Sequence, residues 1–337
     1  MQPESTIPSD PAQRFREIHN ALDQDRSWFQ GATSLRFAAV AAITCPGSAT
    51  DLAASIRRAA EEFVEASSWT DSYKSEIRFI LSACLVRSGD RTRAFIDEVR
   101  RVREMFRDHK LRRGGMYEVM AILVMRQARE LSPIRAQDIH RFMSIYEEMK
   151  KHHWWLTGPD DFPACAIFVS QSGSPSEVAA RAKAHYDSLR EGGASRGNPL
   201  QTAANLLVLS SDQPAEAAHR FHELEQRFKD AGLWMHAGDY DELAILTFLR
   251  HAPERIVERL LAHRKTIEEL RPKPGKELSF DLAASLAFLE LVSHDQDMNQ
   301  ITDAKALLDM QAIIAAQQAA AVAAATSAAV AASAATS

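Results

Sequence analysis

Along most of the chain, stretches that are apolar almost all round alternate with longer, charge-rich stretches whose apolar residues recur three and four apart. The first kind predicts helices packed on several sides, the second amphipathic helices with one core-facing stripe. Phe95, Val99, Val102 and Phe106 fall on one face of such a stripe, and Ala217, Phe221, Leu224 and Phe228 on another. Seven of the apolar stretches share a bulky residue followed four positions later by alanine: Leu35/Ala39, Phe79/Ala83, Tyr117/Ala121, Phe162/Ala166, Leu200/Ala204, Tyr240/Ala244 and Phe280/Ala284. The steps between these alanines are 44, 38, 45, 38, 40 and 40 residues, a period that implies a tandem helical unit. On one helix face, an alanine beside a bulky side chain lets a neighbouring helix come close.

The connections fit helical hairpins. Ser174-Pro175-Ser176-Glu177 predicts a helix start with a serine cap, proline at the first helical position and a reciprocal glutamate. Ser132-Pro133, Gln213-Pro214 and Ala252-Pro253 repeat the proline placement. Gly114-Gly115, Gly158-Pro159-Asp160, Gly197-Asn198-Pro199 and Gly238-Asp239 predict a helix end at glycine and a new start at an Asp or Asn.

One such hairpin cannot bury its own apolar faces, whereas stacked copies share a core. The expected fold is therefore all-α: an α-solenoid of about seven antiparallel hairpins of about 40 residues, in the range of HEAT and armadillo repeats, with capping helices at both ends. Residues 10–29 read as an N-terminal amphipathic capping helix. The expected organisation is a disordered 1–9, one helical-repeat domain over 10–318 and an alanine-rich low-complexity tail over 319–337.

Composition narrows the function classes. The 337 residues carry 40 Lys+Arg against 45 Asp+Glu, net −5, with 13 Gly and 13 Pro, too few for a collagenous or proline-rich disordered chain. Three cysteines, Cys45, Cys84 and Cys165, lie in or beside apolar segments, which argues for reduced, buried thiols and a cytoplasmic setting. The start is polar and acidic, unlike a secretory signal. The last 27 residues hold 15 alanines and no leucine, too weakly apolar for a membrane span, so no membrane contact is expected.

Candidate chemistry is sparse. His153, Trp154 and Trp155 close a charged helix and offer an aromatic partner-binding surface. Residues 87–151 carry a local excess of +6 against −11 elsewhere, and Arg93, Arg100, Arg103 and Arg107 fall along one helix flank, a candidate surface for phosphate or nucleic acid. Glu216 and His219 have a Glu-x-x-His spacing, but a second such pair is missing, so no metal is assigned. No phosphate loop, nucleophile elbow or dinucleotide fingerprint occurs, and no catalytic residue or cofactor is assigned. Glu118, Asp160, Asp161, Asp239, Asp241, Glu242 and Asp281 stand at the starts of the apolar helices. In a closed α/α toroid, two of them could act as acid and base in glycoside hydrolysis.

The junction LTGPDDFPACAIFVS, with AGLWMHAGDYDELAILTFL and RDHKLRRGGMYEVMAILVM and the alanine-rich ending, resembles an uncharacterised bacterial all-helical family, domain of unknown function 4003. The resemblance spans residue 30 to the tail and implies a helical, cytoplasmic bacterial protein; it supplies no catalytic residues. The function expected from these readings is a non-enzymatic scaffold or adaptor that presents a curved helical surface to a protein or peptide. Phosphate or nucleic-acid binding through 87–151 stands second, and a toroidal enzyme third.

Overall fold

The computed structural model describes residues 7–26, 31–66, 77–152, 156–209 and 213–293. Among them the chain is all helical, with no strand. The helices are α1 Pro11–Gln24, α2 Ala32–Ala41, α3 Ala49–Ala66, α4 Arg78–Ser88, α5 Thr92–Asp108, α6 Met116–Ala128 and α7 Ala136–His152. They continue with α8 Phe162–Val169, α9 Pro175–Glu191, α10 Asn198–Leu207, α11 Pro214–Asp230, α12 Tyr240–Leu246, α13 Pro253–Glu268 and α14 Lys276–Ser293. Single 3-10 turns over Pro159–Asp161 and Ala237–Asp239 lead into α8 and α12. No helix among the described residues is long and apolar enough to cross a membrane.

Every apolar stretch of the repeat is an even-numbered helix, and all seven of its alanines are buried, none more than 3% exposed. The amphipathic stripes also face inward: Phe95, Val99, Val102 and Phe106 on α5, and Ala217, Phe221, Leu224 and Phe228 on α11.

The described chain divides between Ile96 and Asp97 into two compact units. In the first, α1 packs on α2 and α3, and α4 on α2 and α3. Its core contains Phe15, Ile18, Leu35, Ile56 and Ile80, and the Phe63 ring meets Phe95 edge-on at 6.2 Å. In the second unit, α6, α8, α10, α12 and α14 pack each on the next, and α7, α9, α11 and α13 do likewise. Hairpin contacts α7–α8, α9–α10, α11–α12 and α13–α14 join the two rows.

An arginine from an odd helix caps the end of the even helix that follows. Arg14 donates to the carbonyls of Cys45 (3.0 Å) and Gly47 (2.7 Å). Arg141 donates to Val169 (2.9 Å), Gln171 (2.6 Å) and Gly173 (2.9 Å), and Arg220 to Thr247 and Leu249. These carbonyls have no partner within their own helix, so a planar five-donor cation suits them. On α14 the recipient is a side chain: Glu290 takes Arg259 Nε at 3.0 Å and lies 2.6 Å from His263 Nε2.

Several local expectations need correction. The helix expected over 10–29 runs only from Pro11 to Gln24, capped by Asp10, whose carboxylate accepts the Gln13 N–H at 2.8 Å; the positions 27–29 lie outside the described residues. Ser132-Pro133 does not open α7, which starts at Ala136, where Asp138 accepts the Arg135 N–H at 2.9 Å. The Pro133 carbonyl is instead held by Arg129. The left-handed glycines that end α9 and α11 are Gly193 and Gly232 rather than Gly197 and Gly238, because the six-to-one closures run from Ala194 to Leu189 and from Leu233 to Phe228. The Ser174 box forms as expected: Glu177 Oε2 accepts the Ser174 N–H at 2.6 Å, and Ser174 Oγ accepts the Glu177 N–H at 3.3 Å. The packed helix expected through Gln318, and the tail beyond it, lie outside the described residues.

Candidate functional site

In the second unit, the starts of the even helices carry acids with two tasks. The first task is local. A helix start leaves backbone N–H groups without partners, and a carboxylate placed just before or inside the first turn accepts one of them. Asp161 Oδ2 accepts the Gly158 N–H at 3.0 Å, Asp239 Oδ2 the His236 N–H at 2.7 Å, and Glu118 Oε1 the Gly114 N–H at 2.8 Å. Asp161 and Asp239 directly precede the bulky residue of their repeats, Phe162 and Tyr240.

The second task joins one helix start to the next. Asn198 and Gln201 of α10 reach back to α8: Asn198 Nδ2 donates to Asp160 Oδ2 at 2.8 Å and Gln201 Nε2 to Asp161 Oδ1 at 2.8 Å. Asn205 Nδ2 adds a third donor to Asp161 at 3.2 Å. Burial, with Asp160 next to it, pushes the Asp161 carboxyl up to about 7 despite these donors. Burial and Asp160 also push the Tyr117 hydroxyl of α6 above its ordinary value. Further along, the Ser195 N–H donates to the Tyr240 hydroxyl at 3.0 Å, tying the connection before α10 to the start of α12.

At the α12–α14 starts the pattern changes sign. Asp281 occupies on α14 the place that Gln201 occupies on α10, directly after the bulky residue. The charged groups that act on it are carboxylates, and the hydrogen bond its carboxyl accepts comes from its own backbone N–H. Burial first, then Asp241, Asp239 and Glu277, push Asp281 up to about 8. Burial likewise raises Asp239, with Asp241 and Glu277 adding to it. Asp281 thus holds its proton more tightly than an ordinary carboxyl, chiefly because it is buried, with the neighbouring acids adding to the effect. In the loop that leads to this cluster stands Trp234, 68% exposed, with the Lys229 ammonium 5.0 Å from its ring centroid.

The structure sorts the acids named from sequence into sets. Asp160 and Asp161 gather with α10, and Asp239, Asp241 and Asp281 with one another. Glu118 is engaged by Arg103, and Glu242 is buried in α12. Glu277, Gln201 and Trp234 were missed. Glu277 and Gln201 look like ordinary first-turn residues. The signal for Trp234 was available, since its junction repeats the one that carries Trp154 and Trp155.

His153, Trp154 and Trp155 lie outside the described residues. The four arginines carry counter-charges with them. Arg93 faces Glu65 at 3.8 Å, Arg100 faces Asp97 at 3.4 Å and Arg107 faces Glu104 at 3.7 Å. Arg103 binds Glu118 at 3.0 Å and the Gly115 carbonyl at 3.0 Å, which fixes the start of α6. Cys45, Cys84 and Cys165 are buried and form no disulfide, and burial pushes Cys45 up to about 11. Glu216 caps α11 through the Gln213 N–H, and His219 borders a groove of about 700 Å³ between α9 and α11. Among the described residues, no group of three or more His, Cys, Asp or Glu side chains is placed to hold a metal ion.

Comparison with known proteins gives a family and one relative. The family described as protein of unknown function (DUF4003) matches residues 11–319. An uncharacterized protein, YeaA of Bacillus subtilis (strain 168), is 24% identical over 203 residues. The match spans 60% of this chain and 60% of that relative's length. No solved structure matches.

Proposed function

The chain belongs to the DUF4003 family, and on that premise we propose that it is a non-enzymatic scaffold whose row of helix starts docks a cationic segment of a protein or peptide. In this reading the hairpins continue as a HEAT- or armadillo-like α-solenoid of about seven units in the cytoplasm of a bacterium. The pairing of even helices with even, and odd with odd, supports the stacking.

One observation carries the docking reading: the buried Asp281 carboxyl feels the charges of Asp241, Asp239 and Glu277, where α10 offers Asp161 the neutral Gln201. Grouped carboxylates work against the fold, and such placements concentrate where a site serves binding or catalysis. A lysine- or arginine-rich segment would complement these acids in charge, and the exposed Trp234 would add an aromatic contact for it.

The test is fluorescence anisotropy with a labelled Lys/Arg-rich peptide and an acidic peptide as control. Binding of the basic peptide alone, weakening with salt and reduced by D241N/E277Q and by W234A, is the expected result. No binding at low salt, or equal binding by the charge-neutralised variant, overturns the reading.

A second reading has its own support. A carboxyl whose proton affinity is raised beside other acids is the arrangement of a general acid–base pair. It ranks lower because the groove between α9 and α11 is lined by other residues. Glycoside hydrolysis abolished by D281N would favour it. The phosphate or nucleic-acid reading has less support, since Arg100, Arg103 and Arg107 each face an acid.

A further inference from the structure

The groove between α9 and α11 is bordered by His222, whose ring bridges the two helices. Nε2 lies 2.9 Å from the Leu189 carbonyl oxygen, and Nδ1 lies 3.0 Å from Glu225 Oε2. Both of these oxygens can only accept. A neutral imidazole has one N–H and can satisfy one of them; the imidazolium satisfies both. The ring reaches the carbonyl because residue 192 is glycine: a Cβ there would stand 2.2 Å from His222 Cδ2 and Nε2.

The carbonyl concerned already has a structural role. Leu189 O accepts the Ala194 N–H at 3.2 Å, the closure that ends α9, with Gly193 in the left-handed region. The two lone pairs of that oxygen therefore serve the helix end and His222 together. The chain then runs through Ser195, whose N–H donates to the Tyr240 hydroxyl, into α10.

We propose that His222 is a proton-dependent clamp, which as imidazolium locks the end of α9 onto α11 and which on losing its proton keeps its one N–H on the Glu225 carboxylate, the stronger acceptor, and so frees the Leu189 carbonyl and the α9–α10 connection. The hydrogen bond to Glu225 and the Leu189 carbonyl raise its proton affinity above the ordinary imidazole value, against burial. The surrounding charged groups are His219, Glu223 and Arg227 on α11, and Glu191 on α9. From α13, Glu254 lies 2.9 Å from Arg227; α12 carries Tyr240, Asp241 and Glu242, of which Tyr240 sets its ring edge-on to Phe221, the residue before His222, at 5.6 Å. Glu225 is the charge in hydrogen-bond contact with the ring. The clamp does not depend on the docking reading.

The test uses the full chain. The His222 ring resonance is titrated by NMR, and amide exchange of a peptide spanning 188–197 is followed on both sides of the midpoint, corrected for intrinsic exchange. The expected midpoint lies above 6.5, and E225Q lowers it. Protection of the α9 end should fall about tenfold above the midpoint, the worth of one hydrogen bond from a charged donor. H222L and G192A should both lack that step. A His222 midpoint at or below 6.5, or a step that survives in folded H222L, overturns the proposal.

Discussion

The amide of Gln201 donates to the carboxylate of Asp161 across 2.8 Å, joining the start of α10 to the start of α8. On α14 the corresponding side chain is Asp281, a second acid, and its cost to the fold depends on pH. The folded protein raises Asp281 from 3.8 to about 8. Between those values the folded chain keeps a proton that the unfolded chain has released, so stability falls as pH rises through the window and levels off above it. D281N should flatten this dependence and be more stable than the parent at alkaline pH. Urea midpoints measured from acid to alkaline pH check it; an identical slope in both proteins would rule out Asp281 as the source.

The buried alanines of the repeat give a packing test. Ala204 and Ala244 are 1% and 0% exposed, on α10 and α12, which pack on each other. Replacing either with leucine inserts three carbons where two helices approach closely. A204L and A244L should each cost roughly 1 to 3 kcal/mol. Unchanged melting temperatures in both would mean that the alanine does not set the helix spacing.

How much of this was legible beforehand follows from the range of each interaction. The helices, their alternation and the depth of the seven alanines follow from periodicity, which is local information repeated along the chain. The Ser174 box was equally visible, since its partners lie three residues apart. Ser132-Pro133 misled because proline also suits an extended connection, and α7 is opened by Asp138 bonding the Arg135 N–H. The acids of the site, Glu277 apart, were identified as first-turn residues. Their grouping was not, because whether Asp281 meets an amide or another acid depends on a partner about 40 residues away. Arg103 shows the same limit: its place on a basic flank was readable, while its bond to Glu118, fifteen positions on, was not.

Arg141 separates charge from shape in the capping role of the odd-helix arginines. Its guanidinium holds three carbonyls, one on the last residue of α8 and two beyond it, at 2.9, 2.6 and 2.9 Å. R141A removes those donors and should destabilise the chain by about 2 kcal/mol. R141K keeps the charge but cannot present a planar fork to several oxygens, so it should recover less than half of the loss. Denaturant midpoints decide; full rescue by lysine would reduce the role to electrostatics.

Lys110 offers a stabilising change. The end of α5 closes as the ends of α4, α9 and α11 do, with the Leu111 N–H donating to the Phe106 carbonyl at 2.9 Å. In those other helices the left-handed position is Gly89, Gly193 or Gly232; here it is Lys110, at φ 58°. A side chain in that region costs about 1–2 kcal/mol through its Cβ. Glycine removes the clash but adds freedom to the unfolded chain, which returns about 0.5–1 kcal/mol of the gain. K110G should therefore stabilise the protein by about 0.5–1 kcal/mol, read as a raised denaturant midpoint at unchanged slope. K110A, which keeps a Cβ and removes the charge, should give no such gain. If K110A stabilises as much as K110G, the effect comes from the lysine charge beside Arg107 and Arg112, and the backbone explanation fails.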